Sequence, residues 1–175
     1  MTYVRLINPI QVDDLCIREY TMDDLDAFHE SVLRNREYLL PWLRDWVKAE
    51  PLTIDQRRNI FLEWTSTYDQ HSHPIGIFIN DEFVGSTGLS ATDSEGEVEI
   101  GYWVDQARQS QGIATRVTRA VSGWALAQPS IQKVILMHKV GNEGSFHVAQ
   151  KSGFTQEDTF HECGGDPAIR WTKSQ

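Results

Sequence analysis

Tyr102-Trp103-Val104-Asp105-Gln106-Ala107-Arg108-Gln109-Ser110-Gln111-Gly112-Ile113-Ala114-Thr115 is where the reading of this chain begins. Up to Val104 the residues are aromatic or β-branched, as in a strand, and Asp105 to Ser110 are polar, as in a loop. From Gly112 onward Ile113, Val117, Val121 and Trp124 recur at helical spacing. The first N–H groups of such a helix have no internal partners, and its dipole adds partial positive charge there. Gly112 lets the backbone come close to a phosphate, and Ala114 keeps the second turn small. Gln109, Ser110 and Thr115 can add side-chain hydrogen bonds. The stretch suits a pyrophosphate; it also describes a plain strand-to-helix turn whose glycine serves only the backbone. Neither Gly-x-x-x-x-Gly-Lys-Ser/Thr nor Gly-x-Gly-x-x-Gly after a strand occurs, so the P-loop and dinucleotide readings fall away.

Upstream, Leu15 to Glu19 reads as a short strand, and Thr21 as an N-cap with Asp23 and Asp24 in the first turn. Leu25, Phe28, Val32 and Leu39 give the following helix an apolar stripe. A second helix starts at Thr53, where Gln56 completes a capping box, and carries Ile60, Phe61, Trp64 and Tyr68 on its inner face. Ile75 to Ile79, Phe83 to Leu89 and Glu97 to Val104 are strand-like. Turn residues at Asn80-Asp81 and Thr92 to Gly96 join them into an antiparallel meander. Downstream, a helix from about Gly112 to Gln128 stops at Pro129. Lys133 to Lys139 is a strand, Asn142 to Lys151 a short helix, Gly153-Phe154 starts another strand, and Ala168 to Trp171 is the last. This order predicts an α/β fold, a mixed and mostly antiparallel twisted sheet with helices on both faces. No repeat or linker divides residues 1–175, so a single domain is expected.

Composition narrows the function. With 40% hydrophobic and 10% aromatic residues the chain can bury a full core. Sixteen basic against twenty-five acidic residues leave a net charge of -9. That balance disfavours general nucleic-acid or anionic-membrane binding and is compatible with a cationic amine substrate. Cys16 and Cys163 lie far apart and define neither a disulfide framework nor a metal site. His71 and His73, beside Pro74, read as surface loop residues, and a metal site would need more ligands. There is no visible secretory signal, and no apolar run approaches the roughly 20 residues of a membrane span, so the cytosol is the expected location.

Gln109-x-x-Gly112-x-Ala114 resembles the Arg/Gln-x-x-Gly-x-Gly/Ala signature of the GCN5-related N-acetyltransferases. Glu99-Ile100-Gly101-Tyr102-Trp103-Val104 looks like the fourth strand of their ribosomal-protein branch. Asn142-Glu143-Gly144-Ser145 and Gln150-Lys151-Ser152-Gly153-Phe154 are similar to that branch's Asn-x-x-Ser and Glu-Lys-x-Gly-Phe stretches. Leu40-Pro41-Trp42-Leu43 resembles its N-terminal helical segment. The matches fall in the expected order over nearly the whole chain. The resemblance is to the RimJ/RimL type, which acetylates the N-terminal amine of ribosomal proteins. It implies acetyl-CoA as donor, its pyrophosphate held by Gln109, Ser110, Gln111, Gly112, Ile113, Ala114 and Thr115, mostly through backbone N–H. The Tyr102 to Val104 strand would splay from the Val134 to His138 strand, leaving a gap for the pantetheine arm. Backbone amides near Trp103 and Val104 would polarise the thioester carbonyl. Asn142 would hydrogen-bond the pantetheine and Ser145 would face the leaving thiol. Lys151 or Arg116 would reach a peripheral phosphate or stay solvated.

No Cys/His or Ser/His/Asp grouping points to a covalent intermediate, so direct attack by an amine is expected. An α-amine, with a pKa near ~8, needs less help than a lysine near ~10.4. Candidates for the base are Glu99, His138, Glu162 and an ordered water. Glu97, Glu99, Gly101 and Trp103 share one strand face; Glu97 and Glu99 either attract an ammonium ion there or are solvated. His138 lies near the strand end beside the thiol. The family motif gives Ser145 the task of protonating the thiolate, although a serine there is also an ordinary first-turn residue. The helix tyrosine that many members use as an acid is Ala149 here. Glu162, in His161-Glu162-Cys163-Gly164-Gly165-Asp166, lies near the place of another acid in the branch. Trp42 and Trp46, four apart, either wall the acceptor groove or pack in the core. The acceptor stays open between a protein N-terminus and a small amine such as a polyamine, an aminoglycoside-like drug or an aminoacyl toxin. A non-catalytic acyl-CoA-binding module is a third reading, and exposed aromatic residues with the meander edge are compatible with a homodimer.

Overall fold

Among the described residues nine strands form one sheet: β1 (Ile10–Val12), β2 (Leu15–Glu19), β3 (Ser72–Ile79), β4 (Glu82–Ala91), β5 (Glu97–Val104), β6 (Lys133–Lys139), β7 (Thr155–Gln156), β8 (His161–Cys163) and β9 (Asp166–Ser174). The computed structural model describes residues 5–43, 47, 50–66, 72–157 and 161–175. Its strand order is β1-β2-β3-β4-β5-β6-β9-β7, with β8 pairing β9. Every pairing is antiparallel except β5 with β6. Among the described residues the α-helices delimited at both ends are α1 (Leu25–Arg34), α2 (Arg36–Leu39), α3 (Ile54–Ser66), α4 (Ile113–Leu126) and α5 (Glu143–Lys151).

Local chemistry explains most of these boundaries. Asn80 and Asp81 both take positive φ, 50° and 64°, the two-residue turn whose twist matches that of paired strands. The Thr53 amide donates to Gln56 Oε1 at 2.8 Å and the Gln56 amide to Thr53 Oγ1 at 3.3 Å, which closes the capping box on α3. The Thr21 amide donates to Asp24 Oδ2 at 2.7 Å, but the element it opens is a 3-10 turn, Met22–Asp24, leading into α1. The single helix expected to reach Leu39 breaks at Asn35. Its amide donates to the Ser31 carbonyl at 2.7 Å while its Oδ1 accepts from the Gln106 N–H at 2.7 Å. A side chain bonded to the chain 71 residues away fixes its backbone outside helical geometry (φ -93°, ψ 2°).

Two cores lie on the two faces of the sheet. On one, aliphatic residues of β2 to β6 pack with Ile113, Val117, Val121 and Ala125 of α4 and with Phe154 and Trp171. On the other, α1 to α3 enclose an aromatic cluster of Tyr20, Phe28, Phe61, Phe78, Phe83 and Trp103. Phe28 is its hub, with ring centroids 5.1 Å from Phe61, 5.4 Å from Tyr20 and 5.6 Å from Phe83. Rings at these distances favour edge-to-face and offset contacts, as seen here. Trp64 stacks on Tyr20, whereas Tyr68 lies outside the described residues.

Some expectations change. β1 and β8 are short strands that the sequence pattern does not announce, and β9 extends well beyond Ala168 to Trp171. His73 is not on a surface loop: it belongs to β3, is buried, and lies 3.3 Å from Glu19. The strand pairing that continues β3 past Pro74 carries it inward. His71 lies outside the described residues. Among the described residues no helix is long and apolar enough to cross a membrane.

Candidate active site

β5 and β6 pair from Glu97 opposite Lys133 to Ile100 opposite Leu136, and there the ladder stops. Both strands continue, to Val104 and Lys139, so they part. On its other edge β5 stays bonded to β4 as far as Val104 opposite Gly85. A Cβ at Gly85 would lie 2.3 Å from the Trp103 carbonyl oxygen, so the glycine is what allows that close pairing. The opening therefore falls between β5 and β6, and a cleft of about 740 Å³ occupies it. That is ample for a small-molecule site.

At one end of the cleft the chain turns from β5 into α4. Asp105 accepts from the Ala107 N–H at 3.0 Å, from Ser31 Oγ at 3.1 Å and from Arg34. Burial alone would raise the Asp105 carboxyl, but Arg34, the Ala107 N–H and Asn35 hold it below the usual carboxylate range. The loop beyond is thus pinned to α1 and α2. Ser110 (φ 60°) and Gly112 (φ 72°) are both left-handed, and no side chain caps α4. The first helical bond runs from the Arg116 N–H to the Gly112 carbonyl at 3.0 Å. The amides of Ile113, Ala114 and Thr115 precede it and remain available. These three residues line the cleft with Gln109, Ser110 and Gly112; Gln111 does not. The Gln109 side chain neighbours the Tyr38 phenol of α2, which also lines the cleft. Lys151 also lines the cleft, whereas Arg116 turns away to Asp14 and Asp13. An uncapped helix start in a concave corner fits the diphosphate of coenzyme A.

In the middle, Asn142 caps α5 by accepting from the Ser145 N–H at 3.1 Å, and both residues line the cleft. Opposite them stands Tyr102, whose buried Oη makes no hydrogen bond of good geometry. Burial pushes that phenol up to about 12, with the facing Ser145 hydroxyl acting in the opposite sense. His138 is buried and fully engaged. Trp171 Nε1 donates to its Nε2 at 3.0 Å, so Nδ1 carries the proton and donates to the Lys139 carbonyl at 3.0 Å. No lone pair is left for an amine.

Away from that corner Glu99, Met137, Lys139 and Cys163 line the cleft with Trp42. Lys139 spans its rim, 3.3 Å from the Pro41 carbonyl and 2.7 Å from Asp166. Burial raises the Glu99 carboxyl; Arg170 lowers it and Glu97 raises it further. Glu97 itself is buried against Arg170 at 2.9 Å and Lys133 at 3.9 Å, and does not line the cleft. Glu162 is exposed, while its neighbour Cys163 faces inward. The Trp103 ring packs between Phe28 and Phe83, and Trp103 and Val104 border the splayed edge. Trp46 lies outside the described residues. No metal-binding group of His, Cys, Asp or Glu occurs among the described residues.

Tyr38, Tyr102, Asp105 and Arg170 were not among the expected site residues. Only Tyr102 carried a signal in the sequence, a phenol on the same strand face as Val98 and Ile100.

The cleft joins an uncapped helix start to a half-buried carboxylate through a gap in the sheet, a layout that suits an enzyme moving an acyl group from a phosphorylated thioester carrier to an amine. The acetyltransferase (GNAT) domain profile matches residues 14–155, and the chain belongs to that family. It is an acetyl-CoA-dependent N-acetyltransferase. It is 26% identical over 148 residues to a putative ribosomal N-acetyltransferase, YdaF, of Bacillus subtilis (strain 168), covering 83% of this chain and 80% of that one. It is 29% identical over 82 residues to a ribosomal-protein-serine acetyltransferase of Escherichia coli (strain K12), 46% of each chain. Among solved structures, the RimL ribosomal α-N-protein acetyltransferase in complex with coenzyme A superposes with a TM-score of 0.79 at 23% identity, over 95% of this chain and 98% of that one.

Proposed function

We propose that the protein transfers the acetyl group of acetyl-CoA to the N-terminal α-amine of a ribosomal protein, in the cytoplasm, by direct attack and without a metal. The observation that carries this reading is the continuity of one cleft from the free amides of Ile113 to Thr115 to the half-buried carboxylate of Glu99. The names of the two sequence relatives support the acceptor.

In this reading the amides of Ser110 and of Gly112 to Thr115 and the Lys151 ammonium hold the phosphates. Asn142 presents its side chain to the pantetheine, and the backbone from Trp103 to Val104 polarises the thioester carbonyl. Glu99 takes the proton of the amine, directly or through one water, since His138 is engaged and Glu162 faces outward. Its upward shift suits that role, because a base works best when its pKa approaches the working pH. An α-amine near ~8 is partly neutral there without further help. Trp42 walls the acceptor groove, and Ser145 hydrogen-bonds the departing sulfur.

The test is coenzyme A release from acetyl-CoA with three acceptor sets: peptides with ribosomal-protein N-termini, the same peptides N-terminally blocked but carrying lysine, and polyamines. Mass spectrometry locates the added acetyl group. Turnover confined to free N-termini is expected. Equal turnover of polyamines, or none of the N-terminal peptides, would overturn the acceptor assignment.

A further inference from the structure

Lys139 is the last residue of β6, past the point where that strand parts from β5. By the two-residue period it shares a face with Met137 and Ile135, and Ile135 is registered opposite Glu99. Lys139 therefore projects on the carboxylate side of the sheet. Its Nζ donates to Asp166 Oδ2 at 2.7 Å and to the Pro41 carbonyl at 3.3 Å. Asp166 opens β9 and Pro41 follows α2, so one ammonium joins two walls that are 27 and 98 residues away from it in the chain. The side chain is 12% exposed, and the residue lines the cleft.

Counting donors shows what remains. A lysine ammonium has three N–H groups and accepts nothing. Asp166 and Pro41 take two of them, and the third has no partner among the described residues. An ion pair that merely joined the two walls could lie anywhere along them. This one lies in the cleft lining, with a donor left over. Along β6 the step from Ile135, opposite Glu99, to Lys139 is about 13 Å, the length of about four extended residues. A peptide whose terminal nitrogen sits at Glu99 and whose chain runs along this face brings a backbone carbonyl to Lys139 within about its first four residues.

The geometry points to Lys139 as an acceptor-binding residue: its unpaired N–H donates to a backbone carbonyl of the incoming peptide, a few residues behind the amine that is acetylated. This rests on the N-terminal acceptor proposed above and adds a length requirement to it. Lys139 takes no part in bond making or proton transfer. It discriminates between acceptor classes, because a polyamine has no carbonyl to offer and brings further positive charge towards the ammonium. Asp166 and Pro41 hold the ammonium in place, so a peptide that binds need not order a long side chain.

The experiment measures kcat/KM for a series of acceptors, from a single amino-acid amide to N-terminal peptides of increasing length, with spermidine alongside. Wild type, Lys139→Met and Lys139→Arg are compared, with KM for acetyl-CoA and a thermal melt of each. In the wild type kcat/KM should rise on the order of tenfold up to about four residues and then level off. Lys139→Met should lose that rise while acetylating the amino-acid amide within about twofold of wild type, and Lys139→Arg, which keeps charged donors, should retain part of it. An equal loss at every length would make Lys139 a strap between the walls and nothing more, which overturns the assignment. A wild-type series flat in length also overturns it and leaves the N-terminal acceptor standing, whatever the variants do. Acetylation of spermidine and of none of the peptides would remove the acceptor reading and this inference together.

Discussion

Gly112→Ala isolates the physical basis of the carrier site. A Cβ built there meets nothing within 4 Å, so no clash within the protein contributes. What remains is the left-handed backbone, φ 72°, which costs an L-residue about 1–2 kcal/mol. That cost has two outlets. If the loop keeps its shape, the folded state loses the full amount, and Tm drops by about 2–8 °C for a chain of this length. If the loop relaxes to negative φ, stability is retained, but binding must rebuild the loop and coenzyme A affinity falls about 5–30-fold. Calorimetric titration with coenzyme A, together with melts of the free protein, measures both, and their sum should come to about 1–2 kcal/mol. A sum near zero would refute the role given to the left-handed loop. An affinity loss far above thirtyfold would mean that the added methyl meets the ligand, making the open space over Gly112 the seat of a phosphate.

Three further perturbations separate chemistry from architecture. Glu99→Gln should lower kcat/KM by about 10²-fold or more if the carboxylate is the base, and the acid limb of the wild-type profile should lie above the ordinary glutamate range. Because burial raises its folded-state pKa, ionised Glu99 burdens the fold as pH rises. The variant should therefore melt higher than wild type at neutral pH, and the difference should vanish in acid; a variant no more stable at neutral pH would contradict the desolvation of this carboxylate. Phe28→Ala removes the hub of the aromatic cluster and should cost about 3–5 kcal/mol, read as a shift in denaturant midpoint; under 1 kcal/mol would mean that α1 to α3 do not pack on Phe28. Asp105 has a lowered folded-state pKa, so its stabilisation is present above the usual aspartate value and lost as pH falls through the lower one. The stability gap between wild type and Asp105→Asn should follow that course, and a gap independent of pH would exclude the ion pair with Arg34.

What the sequence revealed and what it hid divide along one physical line. Features set by residues close in the chain were legible: the Thr53–Gln56 box, the Asn80-Asp81 turn, and the glycine-started helix after a polar loop. Features set by distant partners were not. Asn35 looks like any residue within a helix until Gln106 arrives to bond it. His138 looks like an available base until Trp171, 33 residues on, takes its lone pair. Glu162 and Cys163 differ by one position, and only the pairing of β8 with β9 decides which of them faces the cleft. Short strands such as β1 and β8 are held by their neighbours in the sheet rather than by their own pattern.

The alternation of β5 explains why one strand can serve two reactants. Val98, Ile100 and Val104 lie on the α4 face with Tyr102 between them, on the side where the thioester carrier would enter. Glu97, Glu99, Gly101 and Trp103 lie on the opposite face, where α1 to α3 wall the amine side. In the proposed reading carrier and acceptor approach from opposite faces of the sheet and meet where the pairing of β5 with β6 ends, beyond Ile100 and Leu136. The acyl carbon can be reached from both sides only at that gap. Gly101 is the first β5 residue past the last pair, its φ is not positive, and a Cβ there would touch nothing in the protein. Neither backbone conformation nor packing calls for a glycine at this position, but a clear passage between the carboxylate side and the thiol side does, since any side chain would project into it.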